Sequence, residues 1–214
     1  MMAELKALED NSLIKCRLID YVWGAGTQLR GELVFKARVA VPGAYSLPGG
    51  LTEEELRKCL TWLIQELKLI HPDISVKALT CSEDKPWQHP ILSHLIKAQW
   101  WGRKGEAKKL GSREDSNPFI NTPIPMIALV ATAVDCVLSG MFTGTTVDFV
   151  DTTFRDRWIR YHNLLKLFSE KSPTYLAKIR KQIQAATGHP AHGGKSLPAV
   201  SYDFNTLENA AEQD

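Results

Sequence analysis

Apolar residues recur at helical spacing along most of the chain. Behind Ser12, a candidate cap, the first stripe runs through Leu13, Ile14, Leu18, Ile19 and Val22. Gly24 and Gly26 interrupt it. It resumes with Leu29, Leu33, Ala37 and Ala40 and is expected to end before Pro42, as one helix with a weak point or as two in line. Pro42 to Gly50 reads as a loop. Thr52 followed by Glu55 is a capping box, and Leu56, Cys59, Leu60, Leu63, Ile64 and Leu67 form the stripe behind it, closed by His71–Pro72. After an irregular stretch, Pro90 opens a helix carrying Ile91, Leu92, Leu95, Ile96, Trp100 and Trp101. Gly102 to Asn117 is polar and loop-like. Thr122 is expected to cap the most apolar segment, Ile124 to about Phe142, in which Val130, Val134 and Leu138 are predicted to be among the most buried positions. A Thr143–Gly144–Thr145 turn and an extended piece at Val147 and Phe149 lead on. Thr152 or Thr153 is then expected to cap a helix with Phe154, Trp158, Tyr161, Leu165 and Phe168 on one face. Ser172–Pro173 starts a last helix ending at Gly188.

These elements predict an all-α fold: an irregular bundle of about five to seven helices around one apolar central helix. The helical domain is expected over residues 1–187, and a flexible C-terminal tail rich in glycine, proline and acidic residues over 188–214. The central segment is nearly long enough to span a bilayer. Asp135 inside it would cost about 2.5–3.5 kcal/mol at a membrane centre. Thr132, Asp135 and Ser139 lie three and four residues apart and so share one narrow polar edge. That edge favours a buried helix of a soluble bundle over a membrane span.

Composition changes this picture little. With 214 residues, 44% hydrophobic and 23% charged, the chain suits one sizeable core and excludes wholesale disorder. Cys16, Cys59, Cys81 and Cys136 are far apart, and three of them lie in apolar helical patterns, so reduced buried thiols are expected. The first ten residues lack the basic and apolar regions of an export signal. The expected location is therefore intracellular, cytoplasmic or nuclear.

A net charge of +2 is too small to imply an anionic partner, so any such argument is local. Lys97, Arg103, Lys104, Lys108, Lys109 and Arg113 stand against Glu106 alone, six bases against one acid, net +5. Between Asp151 and Thr187, eight bases stand against three acids, again net +5: Arg155, Arg157, Arg160, Lys166, Lys171, Lys178, Arg180 and Lys181 against Asp151, Asp156 and Glu170. With Trp100 and Trp101 close by, Arg103, Lys104, Lys108, Lys109, Arg155 and Arg160 are the candidate nucleic-acid contacts. The tail has the opposite sign, one lysine against four acids, net −3.

Candidate chemistry is sparse. Gly24-x-Gly26 follows a helical pattern and lacks the third glycine of a dinucleotide loop. His189 and His192 have ligand-like spacing, but Pro190 and Gly193–Gly194 leave them without a rigid support. Asp148 and Asp151 are accounted for by the dipole at the start of a helix. No catalytic residue, cofactor-binding residue or metal ligand is assigned, and no cofactor is expected.

Several motifs resemble one known family. Leu29-Arg30-Gly31-Glu32-Leu33-Val34-Phe35-Lys36-Ala37-Arg38 resembles its "RGEL-x-x-KAR" stretch, and His89-Pro90-Ile91-Leu92 with Trp100 its "HPII…WF" helix. Pro123-Ile124-Pro125 with the run Ala128 to Cys136 resembles "NPIP…ALVLTAIEC", and Thr143-Gly144-Thr145 its "TGT" turn, with Tyr161-His162 in the helix after it. The family is a fungal one, abundant in mushroom-forming fungi and catalogued as domain of unknown function 6532. The motifs fall in order over roughly residues 12–170. Val34-Phe35, Asn121-Thr122-Pro123 and Ser139 to Phe142 depart from its pattern. The resemblance implies a helical domain with no established activity.

The expected function is a non-enzymatic protein-interaction module with a protein partner. The alternative is a nucleic-acid-binding domain using the basic clusters at 97–113 and 155–181, and third an enzyme with an unrecognised site. No membrane partner is expected. Arg30, Glu32, Arg38 and Asp135 form the candidate polar cluster, in which Asp135 is expected to pair with Arg30 or Arg38 and to set how the first helix crosses the central one.

Overall fold

The computed structural model describes residues 12–47, 51–103, 105–110 and 117–188, and the side chains among them from residue 24 onward. The tail, Lys104 and Arg113 lie outside the described residues. Among the described residues the fold is helical, with α1 Ser12–Ala44, α2 Glu53–Gln65, α3 Pro90–Ile96, α4 Glu106–Lys109, α5 Ile124–Thr143, α6 Asp151–Lys171 and α7 Pro173–Ala186. The only pairing of extended backbone described is an isolated bridge between Ser75 and Thr80.

The centre is α5. Every residue from Met126 to Leu138 is buried except half-buried Leu129. The helix touches α1, α2, α3, α6 and the 3-10 turn Lys68–Ile70. Its length and hydropathy would suffice to cross a membrane, but two-thirds of its most apolar stretch is covered by the other helices. Val130, Val134 and Leu138 are fully buried, as predicted. Thr132, also fully buried, donates its hydroxyl to the Ala128 carbonyl at 2.7 Å, so this polar group is satisfied within its own helix.

α1 runs unbroken through Gly24 and Gly26 and ends later than expected, at Ala44. Pro42 falls in its last turn, where the missing N–H removes a single helical bond, and Tyr45 N–H still donates to the Val41 carbonyl at 3.2 Å. Leu33, Val34, Ala37, Val41 and Tyr45 of this end are buried.

The Thr52 capping box forms as predicted: Thr52 Oγ1 accepts from Glu55 N, and Glu55 Oε2 accepts from Thr52 N. α2 stops at Gln65, short of His71–Pro72, because Leu67 takes left-handed backbone (φ 57°) ahead of the 3-10 turn. α3 starts at Pro90 with His89 as its cap. It then continues into a π turn, Lys97–Trp101, which places Trp100 in the core. A Cβ on Gly105 would lie 2.2 Å from the Trp100 carbonyl oxygen, so the return after that turn admits only glycine.

Two helix caps differ from expectation. Thr122 is buried with φ 33° and does not cap α5, whose boundary residue is Pro123. Val150, rather than Thr152 or Thr153, precedes α6. Neither has a side-chain cap. The starts are set by packing, with Phe149 and Phe154 in edge-to-face contact at 5.5 Å across the α6 boundary.

Leu138 lies at the centre of this packing, so Leu138→Ala is expected to cost about 2–5 kcal/mol. Denaturant unfolding checks this, and a loss below about 1 kcal/mol would remove α5 from the centre.

Candidate functional site

The polar edge of α5 meets α6. Asp135 and Ser139 are one turn apart on α5, and Arg157 and Tyr161 one turn apart on α6, so two i,i+4 pairs face each other. Arg157 donates from Nη1 to Asp135 Oδ1 and, at 2.6 Å, to Ser139 Oγ. Ser139 donates to Asp135 Oδ1 at 3.1 Å, and the Tyr161 hydroxyl donates to Oδ2 at 2.9 Å. The Arg157 guanidinium lies 5.0 Å from the centroid of the Phe154 ring, one turn earlier on α6. The Asp135 side chain is 4% exposed and that of Arg157 39%, so the carboxylate is enclosed while the cation reaches a cleft of about 180 Å³. Thr61, Gln65 and Thr143 help to line that cleft.

Burial pushes the Asp135 carboxyl above its ordinary value. Arg157, then the hydrogen bonds from Tyr161, Arg157 and Ser139, pull the other way. Burial and the Asp135 charge raise the Tyr161 phenol well above its usual range, so it stays a donor. With three donors on one carboxylate, Asp135 is engaged as an acceptor. Ser139 gives its proton to a group already shared with an arginine. Chemically this arrangement clamps two helices together. It does not activate a nucleophile.

The clamp continues into the core. Tyr161 packs edge-on against Trp87 at 6.1 Å. Tyr45, at the end of α1, stacks on His89 at 4.5 Å and donates to the Leu69 carbonyl at 2.8 Å. His89 Nδ1 accepts from Ile91 N–H at 3.1 Å, which caps α3. Burial lowers the His89 pKa to about 4.

The expected pairing of Asp135 with Arg30 or Arg38 does not occur. Arg38 donates to the Val147 carbonyl at 2.9 Å. Arg30 donates to Thr27 Oγ1 at 3.2 Å, and its Nε is buried without a hydrogen-bond partner. Arg38 thus meets the extended segment between α5 and α6, while Arg30 lines a groove with Phe149 and Val150 of that segment. Glu32 lies elsewhere: it accepts from Gln28 at 2.9 Å and from Gln99 of the π turn at 3.2 Å, while Lys36 donates to Gln99 at 2.7 Å. The four candidates thus belong to four different contacts. Arg157 and Tyr161 were not singled out as a site. The usable signal was their matching one-turn spacing beside the apolar face of α6.

The basic clusters separate in the same way. Arg155 pairs with Asp151 at 2.7 Å, and Arg160 donates to the Gln65 carbonyl at the end of α2 at 3.2 Å. Arg180 donates to the Asn121 and Thr122 carbonyls. Arg155 and Arg160 are five residues apart, about 140° around α6, so they do not share a face. Arg103, Lys108 and Lys109 are exposed, but Trp100 is buried and Trp101 half-buried. Among the described residues no three His, Cys, Asp or Glu side chains are placed to hold a metal ion.

A groove of about 420 Å³ opens between α1, α5 and α6. Leu129, Phe149, Phe154 and Trp158 line it, Val150 and Ile159 stand 45% and 40% exposed at it, and Arg30, Asp151 and Arg155 supply its charges. Trp158 is held by a hydrogen bond from Nε1 to the Pro125 carbonyl at 3.3 Å and by stacking on His162 at 4.8 Å.

The family model described as Domain of unknown function (DUF6532) matches residues 2–168. That span holds the Asp135 clamp and every residue lining the groove, and leaves α7 outside. Comparison with curated proteins and with solved structures gave no match.

Two measurements test the clamp. Arg157→Ala is expected to cost about 3 kcal/mol, because a buried carboxylate loses its cation. A double-mutant cycle with Asp135→Ala should couple by more than about 1 kcal/mol, whereas cycles of Asp135 with Arg30 or Arg38 should give values near zero. For His89 the sign follows from its depressed pKa. The unfolded chain takes up the proton below about 6.5 and the folded one only near 4, so stability is lost as pH falls through that window. The loss from pH 7 to 4.5 is expected to be about 2–3 kcal/mol. Asp135, with its raised pKa, contributes with the opposite sign. The comparison is therefore with His89→Asn, which keeps a capping acceptor and should show a flatter pH dependence of the unfolding free energy.

Proposed function

The chain belongs to the family of domain of unknown function 6532, and from that premise we propose that it is a non-enzymatic helical module that binds a protein partner. The observation that carries this reading is the groove between α1, α5 and α6. It has an aromatic floor, partly exposed Val150 and Ile159, and an arginine at the rim whose Nε is unpartnered. Exposed apolar surface of this kind beside a few fixed polar groups is what a partner's anchoring side chains use. The clamp suits the same role, since it holds the α6 wall of the groove rigidly against α5. The buried thiols suit an intracellular setting, cytoplasmic or nuclear: burial raises Cys136 to about 11 and raises Cys59 as well.

The nucleic-acid reading is supported by exposed lysines and one exposed arginine, Lys97, Arg103, Lys108 and Lys109 of the first cluster and Lys166, Lys171, Lys178 and Lys181 of the second. The arginines of the second cluster are engaged with carbonyls or carboxylates, and Trp100 offers no stacking face.

The test is affinity capture with the full chain. Proteins retained by wild type and by Leu167→Glu, a control at an exposed position outside the groove, are expected to be lost at least about tenfold with Val150→Glu or Ile159→Glu. Equal retention by all variants would overturn the groove reading. In parallel, DNA and RNA oligonucleotides at 50 and 200 mM salt are expected to show no steep salt-dependent binding; a steep slope would favour the basic clusters instead.

A further inference from the structure

We propose that the groove between α1, α5 and α6 holds the acidic tail of this same chain, with Phe204 and Leu207 on its aromatic floor and a neighbouring carboxylate at Arg30. The proposal rests on the reading of the groove as a docking surface and names its occupant.

Three observations select this occupant. First, the groove asks for an apolar anchor next to an anion. Phe149 and Trp158 provide the apolar wall, and the buried Nε of Arg30 has no hydrogen-bond partner. A carboxylate brought to the outer nitrogens of that guanidinium would pair its charge, which meets no carboxylate among the described residues.

Second, residues 189–214 carry one lysine against four acids, and the large apolar residues Phe204 and Leu207 stand between Asp203 and Glu208. Phe204 and Glu208 are one helical turn apart, as are Asp203 and Leu207, so a helical or an extended path sets an aromatic or aliphatic anchor beside a carboxylate. Asn205 and Glu208 have capping-box spacing, which would start a helical turn there.

Third, the tail reaches. Phe204 is sixteen residues past Gly188, an extended span of up to about 50 Å. A domain of this size has a radius of gyration of about 16 Å and is roughly 40 Å across. Gly188, two residues past the end of α7, lies beside Lys97 at the start of the π turn. Because attachment replaces a bimolecular encounter with an intramolecular one, even a weak contact is populated. The tail then competes with any outside partner for the groove.

The test uses the full chain with the photo-crosslinking residue p-benzoylphenylalanine at position 204 (Phe204→benzoylphenylalanine), illuminated in a mixture of ¹⁴N- and ¹⁵N-labelled copies. Mass spectrometry is expected to find the crosslink in the segment 147–160, within single copies. Ile159→Glu should abolish it, and Arg30→Gln should lower its yield by roughly threefold, the weight of one exposed ion pair. Crosslinks elsewhere, none at all, or crosslinks only between differently labelled copies would each overturn the proposal. Phe204→Ala with Leu207→Ala should raise capture of groove-dependent partners. Partners lost on Ile159→Glu but indifferent to the tail variants would sink the tail proposal while leaving the groove reading in place. Capture indifferent to Ile159→Glu would sink the groove reading itself.

Discussion

A carboxylate in the middle of the most apolar helix is the constraint around which this fold is organised. An ionised group removed from water costs several kcal/mol unless charge and hydrogen bonds replace the lost hydration. Asp135 receives that replacement from one neighbour, α6, through Arg157 and Tyr161, and from Ser139 on its own helix. The requirement is directional. Sliding α6 by a turn would take Arg157 and Tyr161 away from Asp135, leaving the buried carboxylate with Ser139 alone and the Tyr161 hydroxyl without this acceptor. An apolar interface alone would tolerate several registers of α5 on α6, whereas the clamp favours one.

From that register the rest of the packing follows. Tyr161, placed by Asp135, sets an edge against Trp87, which stands at the start of the short turn leading to His89 and α3. His89 caps α3 and stacks on Tyr45, which closes the end of α1 over the Leu69 carbonyl. Ring contacts and hydrogen bonds therefore alternate from α6 through the core to α1, although Trp87 Nε1 among them is buried without a hydrogen-bond partner. Close-packed aromatic contacts of this kind join the elements by shape.

The outer consequence is the groove. Phe154, Trp158 and Ile159 come from α6, Leu129 from α5 and Arg30 from α1. The clamp fixes the first two helices, and Arg38, bonded to Val147, ties α1 to the segment that leads into Phe149. The arginines of α1 thus act on the wall of the groove and not on the buried carboxylate. This division of labour explains how two residues in the same motif stretch can have separate roles, Arg38 as a tie and Arg30 as a charge lining the groove.

Much of the architecture was legible locally. The Thr52–Glu55 box, Pro90 and Pro173 at helix starts, Gly144 and Gly188 past helix ends and the unbroken apolar run of α5 all depend on residues within about one turn of each other. The pattern that makes each helix is therefore written in the helix itself. The π turn at Lys97–Trp101 and the absence of side-chain caps on α5 and α6 were not legible, because packing, such as that of Trp100 and Phe149, overrode the local signals at Thr122, Thr152 and Thr153. The polar edge of α5 was also visible, as was the need of Asp135 for a cation. Which arginine meets it was not. Arg30, Arg38 and Arg157 are equivalent as charges, and helical periodicity says only which residues share a face. Sequence by itself determined which side chains had to be buried and that one of them required a counter-charge. Only the tertiary structure chose the counter-charge, because that choice depends on which helix comes to lie against that face.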